Sequence, residues 1–135
     1  MCPTPAARAL VPLDADNFER LVMASPRPVA VVFWGPDCWP CHVLALTLER
    51  AAEAYGDRVT FAALDIGLIP QAATRFGVRG IPHLLFFTHG AVCCHFMGEI
   101  PWVYLRDKLE RALQLQAQLS YNPHHRFTLP SQNSA

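Results

Sequence analysis

One segment of this 135-residue chain constrains its fold more than any other, an apolar run that leads into two closely spaced cysteines. Residues 29–34 (VAVVFW) have the continuous apolar character of a strand that is buried on both faces of a sheet. Residues 35–37 (GPD) end the strand, and a C-x-x-C motif at Cys38 and Cys41 follows. Apolar residues then recur at helical spacing until Gly56, which is predicted to end a helix.

The same alternation of strands and helices continues along the chain. Further strands are predicted over residues 10–13, 59–65, 83–87 and 91–97, and further helices near residues 14–24, over 70–75 and from 101 onward. The last two strands flank a Thr-His-Gly turn and predict a β-hairpin. Since alternating strands and helices favour parallel pairing and a hairpin is antiparallel, we predict an α/β fold with a mixed sheet and helices on both faces.

Composition excludes several classes of function. The chain is 52% apolar, and its 11 basic residues balance 11 acidic ones, so no basic field attracts nucleic acid or an anionic membrane. No apolar run approaches the roughly 18 residues of a membrane span. Residues 1–8 lack the layout of a secretory signal, so a cytoplasmic location is expected. In that reducing compartment, five cysteines do not suit a disulfide framework.

The two cysteines of the C-x-x-C motif are predicted to differ in environment. Cys41 shares the apolar stripe of its helix with Leu44 and Leu48, whereas Cys38 lies at the start of the helix. Unpaired backbone N–H groups and the positive end of the helix dipole stabilise a thiolate there, and the thiolate is the reactive form. We therefore expect Cys38 to attack a substrate disulfide and Cys41 to resolve the mixed disulfide.

Metal binding is the alternative interpretation of the same motif. Structural zinc normally needs four protein ligands, and no second C-x-x-C motif or spaced histidine pair completes the set. The histidines outside the motif also follow no standard ligand spacing: His83, His89, His95, His124 and His125. Redox chemistry without a metal or a bound cofactor is favoured, and metal or iron–sulfur binding remains a further hypothesis.

Several motifs resemble those of one family. Residues 32–41 (VFWGPDCWPC) resemble the active-site segment of thioredoxins, W-x-x-x-C-G-P-C, and residues 78–82 (VRGIP) resemble the family's cis-proline loop. Gly90 and Gly98 fall where thioredoxins have the glycines of the hairpin and the substrate groove. The resemblance covers residues 10–113. It implies a thioredoxin fold, with a central mixed five-stranded sheet flanked by four helices, and thiol–disulfide oxidoreductase activity.

The resemblance also implies site residues, partners and boundaries. The substrate-binding residues it implies are Trp34, Pro40, Ile81, Pro82 and Gly98. Trp39, which replaces the family's Gly, is also expected to bind substrate, because it would protrude over the thiols as a bulky apolar surface. Protein disulfides would be the substrates, a thioredoxin reductase would supply electrons, and we expect a monomer. The thioredoxin-like domain would occupy residues 10–118, between a mobile segment at residues 1–9 and a disordered tail at residues 119–135.

Some positions depart from the thioredoxin pattern. Val32 and Ala63 stand where the family has a buried Asp and a nearby Lys that help to deprotonate the resolving thiol. Asp37 puts a carboxylate beside Cys38, where it would oppose thiolate formation. His42 is either a substitute proton carrier or an ordinary surface residue. These departures motivate the alternative function, a partner-specific chaperone or redox-sensing binding module with little general reductase activity.

Cys93 and Cys94 are neighbours on the last predicted strand, so their side chains are expected to alternate across the sheet. A disulfide between neighbouring residues needs a strained ring, which favours packing as their role. An exposed regulatory thiol is the alternative. Cys2 is expected to be an exposed thiol without a catalytic role.

Overall fold

Strands and helices alternate in the predicted order in the computed structural model of the protein, which describes residues 10–121. The elements are β1 (Val11–Pro12), a short π-helix (Glu19–Met23), β2 (Val29–Trp34), α1 (Trp39–Tyr55), β3 (Thr60–Asp65), α2 (Pro70–Arg75), β4 (His83–Thr88), β5 (Ala91–Met97) and α3 (Trp102–Tyr121). The predicted α/β fold with a mixed five-stranded sheet and four helices is confirmed. The expectations for residues 1–9 and 122–135 lie outside the described residues.

The sheet has the strand order β1-β3-β2-β4-β5. β3 pairs in parallel with β1 and β2, whereas β4 is antiparallel to β2 and β5. β2 therefore lies at the centre, and all six of its residues are buried, as its uninterrupted apolar sequence predicts. Pro12 lies on the edge strand β1, where a residue without an N–H is tolerated.

Both faces of the central strand are covered. On one face, Val31 and Phe33 of β2 belong to a buried cluster that includes Phe18, Val22 and Ala72, from the π-helix region and α2. The alternate residues of β2, on the opposite face, are buried as well, and α1 contacts β3. This arrangement fixes the end of β2 and the beginning of α1, which carry the C-x-x-C motif.

The β4–β5 hairpin has a tight turn and an irregular ladder. His89 (φ 50°) and Gly90 (φ 78°) form the turn, where left-handed backbone matches the twist of a hairpin. In the ladder, Cys94 pairs with Phe86 and Val92 pairs with Phe87. Cys93 is thus the extra residue of a β-bulge on the edge strand.

The described chain divides into two compact units, with the boundary between Trp102 and Val103. In the first unit, the guanidinium of Arg50 lies 4.8 Å from the ring centroid of Trp102. In the second, α3 continues to Tyr121. No helix within residues 10–121 is long and apolar enough to cross a membrane.

Candidate active site

Cys38 caps the N-terminus of α1 with its sulfur. Its backbone is extended (φ −97°, ψ 104°), and the helix begins at Trp39. The backbone N–H of Cys41 donates a hydrogen bond to Sγ of Cys38 over 3.1 Å. Pro40 lies in the first turn, where the lack of an N–H costs nothing. The N–H of Cys41 and the positive end of the helix dipole would both stabilise negative charge on the Cys38 sulfur.

A disulfide bond joins Cys38 and Cys41, whose Cα atoms are 5.2 Å apart. Cys38 is partly exposed, whereas only 1% of Cys41 is exposed. The difference follows from helix periodicity, since Cys41 lies on the same buried stripe as Leu44 and Leu48. A thiolate arriving from solvent therefore has access to the Cys38 sulfur.

Trp34 and His42 pack together beside the disulfide. Trp34 ends β2 and is 6% exposed, and its ring meets the ring of His42 edge-on at a centroid distance of 6.1 Å. Nε2 of His42 lies 2.9 Å from the carbonyl oxygen of Pro36. Because a carbonyl can only accept, Nε2 carries the proton and donates it. His42 thus ties the first turn of α1 to the loop before the disulfide, in which Asp37 is exposed.

The Ile81–Pro82 segment approaches the same loop from another part of the chain. The peptide bond between these residues is cis, and Pro82 is buried. A Cβ added to Gly35 would lie 3.2 Å from Cδ1 of Ile81, so Ile81 lies against the end of the strand that leads to the disulfide. The N–H of Gly98 donates to the carbonyl of Pro82 over 2.9 Å. The fold therefore assembles residues that are far apart in sequence.

Gly35 is a site residue that the sequence analysis did not identify. A glycine immediately after a buried strand is the only signal in the sequence, and it gives no indication of which residue comes near. In the structure, the missing side chain leaves room for Ile81. We conclude that Gly35 sets the close approach between the Ile81–Pro82 segment and the loop.

Two exposed apolar side chains lie at the borders of these segments. Trp39, between the two cysteines, is 75% exposed, and Pro40 beside it is also exposed. Met97, which precedes Gly98, is 66% exposed. Their position beside the disulfide and the Ile81–Pro82 segment, and not their exposure alone, makes them candidates for contact with another molecule. Trp39 was predicted to have this exposure, whereas Met97 was not singled out.

The interior of the sheet carries no charge at Val32 and Ala63. Val32 and Ala63 pair directly in the parallel register of β2 and β3. They are only 2% and 3% exposed, respectively. Two apolar side chains thus occupy neighbouring buried positions, so neither can accept or donate a proton.

His83 is a buried titratable group that directly follows Pro82. It is 6% exposed, and its Nε2 lies 3.3 Å from Nδ1 of His95. Burial, with the positive charge of His95 as a second cause, lowers the pKa of His83. Its Nδ1 is buried and has no hydrogen-bond partner. Within residues 10–121, no three His, Cys, Asp or Glu side chains are grouped so as to hold a metal ion.

Comparisons with known proteins agree with this geometry. The family model described as Thioredoxin matches residues 9–111. Thioredoxin from Acidithiobacillus ferridurans is 39% identical over 105 residues, which cover 78% of this chain and 97% of that protein. Thioredoxin from Rhodospirillum rubrum is 38% identical over 97 residues, covering 72% of this chain and 93% of the relative. The chain belongs to the thioredoxin family.

Thioredoxin-family members are disulfide oxidoreductases, and this one carries the disulfide between Cys38 and Cys41 at the C-x-x-C spacing. The chain is therefore a thiol–disulfide oxidoreductase, and the predicted fold and chemistry are confirmed. Chloroplastic M-type thioredoxin from Pisum sativum is 34% identical over 99 residues, but the matched region spans only 58% of that longer protein.

Proposed function

We propose that this thioredoxin-family protein reduces disulfide bonds in other proteins, with Cys38 as the attacking thiolate and Cys41 as the resolving thiol. The observation that carries the proposal is the unequal access to two bonded sulfurs at the start of α1. Cys38 is partly exposed and accepts a hydrogen bond from the N–H of Cys41, whose own side chain is buried. A mechanism with an accessible attacking thiol and a buried resolving thiol needs this arrangement.

The reaction consists of two exchanges. In the reduced protein, the Cys38 thiolate attacks one sulfur of a substrate disulfide, and the second substrate sulfur leaves as a thiolate that takes up a proton. Cys41 then loses its proton and attacks the Cys38 sulfur, which breaks the mixed disulfide and releases the first substrate sulfur. Two electrons pass to the substrate, and the Cys38–Cys41 disulfide forms, which is the state in the structure.

The surface around Cys38 would hold the substrate. Trp39 and Pro40 offer exposed apolar area beside the attacking sulfur. On the other side, the backbone of Ile81 would pair with an extended substrate segment. Trp34, Pro82 and Gly98 would support this groove, because Trp34 and Pro82 are buried and Gly98 holds the Pro82 carbonyl.

Proton transfer is the step in which this protein departs from its family. With Val32 and Ala63 at paired buried positions, no charged group at either place helps Cys41 to lose its proton. His42 is the proposed proton carrier, and it would have to exchange its hydrogen bond with Pro36 for one with a sulfur or a water molecule. The carboxylate of Asp37 would oppose the Cys38 thiolate. Resolution by Cys41 is expected to limit the rate.

The proposal includes an electron donor and a compartment. A thioredoxin reductase that uses NADPH would return electrons to the Cys38–Cys41 disulfide, and the protein would act as a monomer. The cytoplasm is the proposed compartment, because an odd count of five cysteines does not suit the disulfide framework of an oxidising one.

Reduction of insulin disulfides, with dithiothreitol as the final reductant, tests the assignment. Wild type is expected to accelerate insulin reduction, Cys38→Ser to leave only the rate of the reductant alone, and Cys41→Ser to abolish turnover while still forming a mixed disulfide. Cys94→Ser, a thiol-to-hydroxyl change remote from the motif in sequence, serves as the matched control and should retain the wild-type rate. Equal turnover by wild type and Cys38→Ser would refute the nucleophile assignment.

A thioredoxin fold dedicated to one or two partners is the second candidate function. The apolar pair of Val32 and Ala63 and the 75% exposure of Trp39 favour it, because they weaken general turnover while adding a distinctive contact surface. Trapping with Cys41→Ser distinguishes the candidates. Many proteins captured through Cys38 would support a general reductant, one or two would support a dedicated role, and none would contradict covalent exchange.

A further inference from the structure

Cys93 lies at the bulge of β5, on an edge of the sheet. Its neighbours Val92 and Cys94 pair with Phe87 and Phe86, so Cys93 itself has no register partner on β4. Residues in a bulge depart from regular alternation, which allows adjacent side chains to lie on the same side of the sheet. The bulge therefore brings together two thiols that a regular strand would separate.

The Cys93 thiol is both accessible and provided with hydrogen-bond donors. Cys93 is exposed, Cys94 is partly buried, and neither takes part in a disulfide bond. A side-chain hydrogen bond from Cys94 is the main cause that lowers the pKa of Cys93 to about 7, and Thr88 also contributes, against an opposing effect of burial. Both donors favour the thiolate, because they stabilise negative charge on the sulfur that accepts them.

The hairpin around Cys93 carries no negative charge. Residues 83–98 include no Asp or Glu and contain His83, His89 and His95. A thiolate at Cys93 thus has no carboxylate on its own hairpin to oppose it. An incoming anionic molecule meets no carboxylate on this segment either.

We propose that Cys93 is a second reactive thiol of the protein, a site at which low-molecular-weight disulfides such as glutathione disulfide form a mixed disulfide with the chain. The Cys93 thiolate attacks one sulfur of the small disulfide, a new S–S bond forms, and the bond within the small disulfide breaks. The departing sulfur leaves as a thiolate and takes a proton from water. The Cys93 sulfur is oxidised, and the leaving thiol is the reduced product.

The position of Cys94 favours survival of the mixed disulfide. Consecutive Cα atoms are only about 3.8 Å apart, shorter than the roughly 4.4–6.8 Å that disulfides usually span. Attack by Cys94 on the modified Cys93 would close a strained ring, in contrast to the pair at Cys38 and Cys41, whose Cα atoms are 5.2 Å apart. Cys93 is therefore a modification site, whereas the C-x-x-C motif is a turnover site.

Intact-protein mass spectrometry and peptide mapping test the proposal. The full chain, with its Cys38–Cys41 disulfide formed, is incubated with glutathione disulfide at pH 7. We expect one glutathionyl group on the peptide that contains Cys93. Cys93→Ser should remove this adduct, whereas Cys2→Ser should retain it. An adduct on Cys2 or Cys94 alone, a Cys93–Cys94 disulfide, or a covalent dimer through Cys93 would overturn the proposal.

The pH dependence of alkylation at Cys93 tests the role of its neighbour. The wild-type rate is expected to rise through a midpoint near 7, where the thiolate forms. Cys94→Ala removes the donor and should slow alkylation roughly fivefold at pH 7, because a rise of about one pKa unit lowers the thiolate fraction there from about one half to about one tenth. Cys94→Ser restores a donor and should recover most of the rate. Identical pH profiles for Cys94→Ala and wild type would contradict the hydrogen bond from Cys94 to the Cys93 sulfur.

Discussion

At the scale of single residues, His83 shows how burial changes the pKa of a titratable side chain. It is 6% exposed, directly follows Pro82, and faces His95 at 3.3 Å. An imidazolium ion there would lose hydration and repel the second histidine, so the neutral ring is the stable form and the pKa is lowered. The unfolded chain has no such constraint, which links protonation of His83 to unfolding.

The sign of this linkage gives a testable pH dependence. Since the folded state disfavours the proton that unfolded His83 binds below about pH 6.5, the free energy of unfolding should fall as pH is lowered from 7.5 to 5.5. Urea unfolding across this range measures the effect. His83→Phe should show a smaller decline than wild type, whereas His89→Asn, a change at the exposed turn, should keep the wild-type decline. Equal declines for His83→Phe and wild type would refute the linkage.

The two cysteines of the motif were predictable at this scale, whereas the contact between Gly35 and Ile81 was not. Helical spacing alone put Cys41 on the buried stripe and Cys38 at the helix start, and the structure has this arrangement. The approach of Ile81 to Gly35 joins segments separated by α1, β3 and α2. No local periodicity encodes it, because it depends on how the strands and helices pack.

At the scale of elements, patterning predicts where an element lies better than how it ends. Gly56 ends α1 as expected, but with φ −62° and not in the left-handed conformation usual for a terminal glycine. The lack of a side chain matters for another reason, since a Cβ on Gly56 would lie 2.5 Å from the carbonyl oxygen of Ala52. The first helix forms as a π-helix, a distinction that apolar spacing over five residues cannot make.

The turn of the β4–β5 hairpin requires glycine at residue 90. Its backbone is left-handed, and a Cβ would lie 2.9 Å from the carbonyl oxygen of Met23. Gly90→Ala is therefore expected to lower the free energy of unfolding by about 1–2 kcal/mol from the backbone alone, and further from the close contact. Urea unfolding measures the change.

Gly80→Ala is the matched control for that substitution. An added Cβ at residue 80 meets no atom within 4 Å. Its effect on the free energy of unfolding should stay within about 0.5 kcal/mol, as for ordinary surface changes. Equal losses of stability in the two variants would show that the left-handed turn at Gly90 is not the cause.

At the scale of the whole molecule, the class of fold and the mixed character of the sheet followed from the alternation of strands and helices and from the late hairpin. The bulge at Cys93 could not be predicted in the same way, because seven alternating or apolar residues fit a regular strand equally well. The irregularity arises where the ladder between β4 and β5 changes register near Phe86 and Phe87. Pairing between distant residues decides such details.

The two outer strands of the sheet have a consequence for the protein at high concentration. β1 is two residues long and includes Pro12, and the ladder of β5 is interrupted at Cys93. Neither edge strand offers the long, regular row of backbone donors and acceptors with which a strand of a neighbouring molecule could pair. The bulge that exposes the Cys93 thiol thus also opposes edge-to-edge association of the protein into fibrils.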